Sequence, residues 1–173
     1  GSPVLHITCE VDWHEQNTLM KLVFPTCYQG EHARYGAPFG STRRSQHPGK
    51  PYDEAQWEVA GSRYAAVGDD TEEDGLFIAT EAKYGWTCRA GTLGLSLLRS
   101  ARMPEANENG GLYATSYRTP HTDQGRHTIR LAVGRFSASA LREEQPAALA
   151  ETLFTPAVPT LGKEWDAGFQ SLD

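Results

Sequence analysis

The densest cluster of chemistry-bearing side chains is Asp12-Trp13-His14-Glu15. On an extended strand, residues two apart share a face, so Asp12 and His14 form either a His–carboxylate pair or two ligands of a metal. A structural zinc wants four ligands. The plainer reading is a strand end whose His and acids hydrogen-bond the neighbouring turn. The six histidines (6, 14, 32, 47, 121 and 127) show no HExxH or HxH spacing, and no GxSxG elbow, Walker loop or GxGxxG is present. Five acids crowd residues 69–74, without the alternate acids, central Gly and closing Glu of a calcium loop, and read as a solvated turn. Glu81-Ala82-Lys83-Tyr84-Gly85-Trp86 is more informative. Lying between two apolar runs, it reads as a hairpin-like connection presenting Glu81, Lys83, Tyr84 and Trp86. Charged groups that bond hydroxyls beside an aromatic platform are the parts of a sugar-binding rim; the same aromatics could equally cap a sheet edge. Asp123-Gln124-Gly125-Arg126-His127 reads as a turn opening a strand. A two-carboxylate glycosidase site would draw first on Glu81 and Asp123.

The elements that must position these groups are mostly strands. Residues 4–13 alternate strictly, with Leu5, Ile7, Cys9, Val11 and Trp13 on one face and His6, Thr8, Glu10 and Asp12 on the other. An apolar run follows at 19–24, closed by Pro25. Residues 30–51 carry no apolar period and read as a long covering loop with one short strand at 35–39. Short strands are expected at 55–60, 63–67, 75–80 and 91–98, with a long one at 126–136. Residues 103–124 are a polar connection with pairing at 112–117. One helix is expected at 141–154, with Pro146 near its start, where the missing N–H costs least. Many short strands, frequent turns and one late helix spell an all-β antiparallel sandwich, a single domain over 1–173.

Composition bounds the function. The chain has 173 residues, enough for one ordinary domain, and a formal net charge of −6 from 16 basic and 22 acidic residues. No overall field attracts nucleic acid, and no apolar run is long enough for a membrane helix. Three cysteines, Cys9, Cys27 and Cys88, fit no zinc ribbon. They read as reduced thiols of a cytoplasmic protein; a Cys9–Cys27 bridge in a secreted one is the alternative.

Seven segments occur in an order that resembles the C-terminal β-region of glycoside hydrolase family 38 α-mannosidases of the cytosolic and vacuolar type. They are Glu10-Val11-Asp12-Trp13-His14-Glu15 with Leu19-Met20-Lys21-Leu22-Val23-Phe24-Pro25, then Pro38-Phe39-Gly40, Trp57-Glu58-Val59 and Lys83-Tyr84-Gly85-Trp86. Leu95-Ser96-Leu97-Leu98-Arg99-Ser100 and Asp123-Gln124-Gly125-Arg126-His127 complete the set. The resemblance implies a sandwich of the galactose-mutarotase-like kind. It implies a parent enzyme that is a retaining exo-α-mannosidase, with zinc and the catalytic carboxylates in an N-terminal barrel outside this chain, so that the chain itself carries neither metal nor cofactor. It also implies that Lys83 and Tyr84, and with them Glu81, contact the mannose-containing substrate. Thr80-Glu81-Ala82 departs from the Asn-Asp-x usual before the Lys. The expectation is a non-catalytic domain that supports the barrel, its partner, and shapes the mannose cleft; it predicts an exposed apolar docking face. The rival is a stand-alone carbohydrate-binding or interaction module with a closed polar surface.

Overall fold

A computed structural model describes residues 4–106, 112–115, 119–139 and 145–155. The strictly alternating segment is β1 (Val4–Trp13). It runs antiparallel to the longest strand, β12 (Gly125–Ser137), with Val4 opposite Gly134 and Trp13 opposite Gly125. Four further strands complete this sheet: β3 (His32–Ala37), β4 (Gly40–Ser45), β6 (Tyr64–Gly68) and β7 (Asp74–Thr80), giving the order β1-β12-β7-β6-β3-β4. A second sheet, in the order β2-β9-β8-β5, is built from β2 (Leu19–Pro25), β5 (Val59–Ala60), β8 (Gly85–Arg89) and β9 (Thr92–Arg99). A short ribbon pairs β10 (Pro104–Ala106) with β11 (Leu112–Thr115).

The two larger sheets enclose one apolar core. Ile78, Val67, Ala65, Leu131 and Tyr35 from the first sheet cluster with Trp86, Leu93 and Leu95 from the second. The outer face of the six-stranded sheet is covered in turn by the late helix, α2 (Pro146–Phe154), whose Leu149 and Ala150 cluster with Phe77, Ala79, Ala132 and Tyr64. That explains a run with no alternation: Phe77, Ile78 and Ala79 all have 0% exposure, because β7 is covered on both faces. The buried Gln46 is fully used. Its amide donates to the Gly30 carbonyl at 2.8 Å, and its oxygen accepts from the Gly91 N–H at 2.8 Å and the Cys88 thiol at 3.3 Å.

The antiparallel sandwich with a late helix agrees with the sequence reading; several local expectations do not. Residues 30–51 are not one long loop: residues 32–45 form the β3–β4 hairpin, turned by Pro38 and Phe39, with Ala37 opposite Gly40, and the short strand expected at 35–39 is the end of β3 and this turn. The edge strand β4, Gly-Ser-Thr-Arg-Arg-Ser, is mostly exposed and has no apolar face to announce it. Residues 55–60 yield only the two-residue β5, preceded by a one-turn helix, α1 (Pro51–Glu54). The hairpin-like connection expected over 81–86 is shorter, because β8 already begins at Gly85. The helix is observed from Pro146, and residues 141–144, 116–117 and the tail lie outside the described set.

Candidate functional site

The β7–β8 turn is built tightly. Thr80 is 1% exposed, and its hydroxyl accepts the Lys83 N–H at 3.2 Å, closing a side-chain turn at the end of β7. Glu81 faces β12. Its carboxylate takes Nε of Arg130 at 2.9 Å and, through its other oxygen, Nη2 of the same guanidinium. This bidentate bond holds the Glu81 carboxyl below its ordinary range. Lys83 is half-buried and Tyr84 is 58% exposed. The Tyr84 carbonyl accepts the Gly61 N–H at 3.0 Å, and the next N–H, of Ser62, donates to Gly36 at 2.7 Å. These bonds tie the β7–β8 turn to the β5–β6 turn and to β3. Both glycines are required by close approach: a Cβ on Gly36 would lie 2.0 Å from the Ser62 carbonyl oxygen, and one on Gly61 would lie 2.8 Å from Trp86.

Lys83, Tyr84 and Glu81 therefore share one turn, as their spacing suggested, but Trp86 does not join them at the surface. It has 0% exposure and its indole N–H donates to the Gly61 carbonyl at 3.0 Å. The signal was present in the sequence. Trp86 and Cys88 alternate inward across β8 opposite Leu95 and Leu93 of β9. The aromatic that does stand out at this end is Phe39, exposed at 110%, on the tip of the β3–β4 hairpin. Its backbone has φ 63°, in the left-handed region. Pro followed by a residue with positive φ is the pattern of a type II turn, where Gly is the usual second residue. The bulky Phe39 occupies this position against that preference.

The other chemical candidates separate. Asp12 and His14 do meet, with Nε2 2.9 Å from the carboxylate, but both are exposed, and Arg126 approaches Asp12 at 3.8 Å. Asp123 accepts the Arg99 N–H at 2.8 Å. Glu81 is held beside Arg130 and Asp123 lies before Gly125, so roughly 17 Å of strand, at ~3.3 Å per residue, separates their anchor points. Glycosidase carboxylates work at about 5–10 Å. The pair Glu81 and Asp123 does not form such a site. His121-Thr122-Asp123 has a His-x-Asp spacing that the sequence reading passed over. Among the described residues, however, no group of three or more His, Cys, Asp or Glu side chains converges on a metal position. Cys9, Cys27 and Cys88 are all free, so the Cys9–Cys27 bridge is not formed; burial pushes the Cys88 thiol up to about 12.

With this geometry in hand, residues 1–107 match the family described as glycosyl hydrolases family 38 C-terminal domain. The chain belongs to this family. The match spans β1 to β10 and includes both the Phe39 hairpin and the Lys83–Tyr84 turn. Similar proteins include alpha-mannosidase 2C1 of Mus musculus, 34% identical over 118 residues, covering 68% of this chain and 11% of the relative. An alpha-mannosidase of Saccharomyces cerevisiae is 30% identical over 122 residues, covering 70% of this chain and 10% of the relative. The chain thus spans about a tenth of the length of these relatives. Among solved structures, an alpha-mannosidase from Enterococcus faecalis V583 superposes with a TM-score of 0.67 at 16% identity, over 86% of this chain and 16% of that one, a likeness of fold. Within the family 38 C-terminal domain seen here, Lys83, Tyr84 and Phe39 are the chemically expressive side chains that the tied turns at one end of the sandwich present.

Proposed function

We propose that this chain is the C-terminal β-domain of an α-mannosidase, a sandwich of the galactose-mutarotase-like kind. It braces a catalytic barrel of the same parent chain and shapes the mannose-binding cleft for hydrolysis of terminal α-mannosides. The observation that carries this reading is Phe39, an aromatic at 110% exposure on a backbone conformation that favours glycine. A residue that breaks the local rule and has no local compensation points to a contact beyond the domain. A carbohydrate-binding module acting alone would use the same aromatic as a stacking platform, and sugar binding by this chain alone separates the two readings. Lys83 and Tyr84, on the turn tied to the same end, would line the cleft, the ammonium donating to sugar hydroxyls and the phenol offering both its hydroxyl and its ring face. Glu81 is assigned a different part, because Arg130 occupies both its oxygens. It fixes the turn that carries Lys83. The zinc implied for the family does not fit the described residues of this chain, so it is assigned to the barrel and no step is routed through it here. The compartment proposed is the cytoplasm, where three reduced thiols are stable.

Hydrolysis of an aryl α-mannoside, by this chain alone and by the full-length parent, tests the reading. This chain should give no turnover with or without added zinc. In the parent, Lys83→Ala and Tyr84→Phe should each lower kcat/KM by about tenfold, the scale of one lost hydrogen bond. Zinc-dependent turnover by this chain that survives repurification would overturn it. Tight binding of a mannose oligosaccharide by this chain alone would instead favour the carbohydrate-binding module.

A further inference from the structure

A cleft of about 260 Å³ opens between β4, α1 and β8, lined by Tyr35, Arg44, Asp53, Trp57 and Arg89 among others. Its composition is unusual for a chain of net charge −6. Arg34 and Arg130 lie outside the cleft and pair with Glu72 and Glu81, and Arg43 on its rim also pairs with Glu72, at 3.0 Å. The other two arginines of the cleft, Arg44 and Arg89, meet no carboxylate among the described residues. Arg44 donates through Nη1 to the Gln56 side-chain oxygen at 2.9 Å, while its Nε is buried without a partner. Arg89 donates to the Glu54 carbonyl at 3.3 Å and lies over the Trp57 ring, 5.2 Å from its centroid. Asp53, on the wall, forms no ion pair with either arginine among the described residues.

Arg44, Arg89 and Tyr35 line the same cleft. Both arginines act on the Tyr35 hydroxyl, which burial nevertheless holds far above its ordinary range, keeping it a protonated donor. Beside them Trp57 is 74% exposed and Tyr52 75%, so a flat ring face stands next to two guanidinium groups whose charge no carboxylate neutralises among the described residues. Arginine forks with free N–H groups match phosphate oxygens, and an indole face takes the apolar side of a ring. The volume lies near the low end of small-molecule sites, about 300 Å³, and suits a single monosaccharide.

We propose that this cleft binds a hexose carrying a phosphate monoester, the phosphate held by Arg44, Arg89 and the Tyr35 hydroxyl, the ring stacked on Trp57 and a ring hydroxyl accepted by Asp53. The site is separate from the Lys83–Tyr84 turn. The anion and the stacked ring follow from the cleft itself; only the choice of mannose as the first ring to try rests on the α-mannosidase reading.

Calorimetric titration of this chain with mannose 6-phosphate, glucose 6-phosphate, mannose and inorganic phosphate tests it. At least one hexose phosphate should bind ten times more tightly than inorganic phosphate and than mannose. Arg89→Gln and Arg44→Gln should each weaken it at least tenfold, and Trp57→Ala should weaken it while leaving inorganic phosphate unchanged. Unaltered melting temperatures establish that the variants fold, and Arg89→Gln carries the test if Arg44→Gln does not. Glucose 6-phosphate binding without mannose 6-phosphate would uphold the cleft and count against mannose, which separates the two readings. Tighter binding of a mannobiose bearing the phosphate on its terminal ring would assign an oligosaccharide source, and equal binding a free monosaccharide. Equal affinity for phosphate alone, equal affinity for mannose alone, or indifference to Arg89→Gln would overturn the proposal. So would its loss in the full-length parent, which would mean that protein covers the cleft.

Discussion

Glu81 and Arg130 show how much an exposed ion pair can do. Their bond is bidentate, and it lowers the carboxyl's affinity for protons. A carboxylate whose pKa is depressed on folding adds stability above its unfolded value, near pH 4, and loses it as pH falls through the folded value. Glu81→Gln should therefore melt below the parent sequence at pH 7, and the gap should close as the buffer is taken from pH 5 to pH 3. Thermal melts across that range check it; a gap that persists at pH 3 would mean that the glutamine disturbs the turn by some other route. The same neighbourhood shows what single residues reveal in sequence. That Lys83 and Tyr84 stand on a turn was legible because charge and aromatic sit side by side in a polar stretch. Trp86 was misplaced because it directly follows them, and only pairing with β9 shows that its side of the strand is interior. Arg130 as the partner of Glu81 was not legible at all, since 49 residues separate them and only strand register brings them together.

At the scale of elements, legibility follows coverage. β1 alternates because one face is half-buried and the other wet; it was read with its observed ends. β12 was read nearly as well. The hairpin strand β4 was lost because an edge strand of serines, threonine and arginines has no inward period, its order coming from β3 alone. α2 was readable from its apolar spacing, and the structure supplies its purpose. Without it, Phe77 and Ala79 on the outer face of the central strand would meet water. Leu149→Ala, at a side chain only 9% exposed, should cost about 2 kcal/mol, the lower end of buried leucine truncations. Glu151→Ala removes only a surface pair with Arg63 at 3.6 Å and should move stability by no more than about 0.5 kcal/mol. Urea unfolding of the two variants discriminates them. Equal midpoints would show that α2 does not cover the sheet in solution.

For the whole molecule, the question is what the two-sheet body is shaped to meet. Its core is closed by the second sheet on one side and α2 on the other, yet one end leaves Phe39 in water on a strained turn. Within this chain, Phe39→Gly relieves a left-handed conformation costing about 1–2 kcal/mol and gives back about 0.5–1 kcal/mol in chain entropy. The isolated chain should become more stable by about 0.5 kcal/mol. In the full-length parent the same change should act oppositely, because the contact proposed for the aromatic is lost: the melting temperature and the kcat/KM for an aryl α-mannoside should both fall. Opposite signs in the two contexts are hard to produce in any other way, since a purely local effect of the turn would carry the same sign into both. Stabilisation in this chain and in the parent alike would show that Phe39 is local strain with no partner, and the docking role proposed for this end of the sandwich would have to move elsewhere.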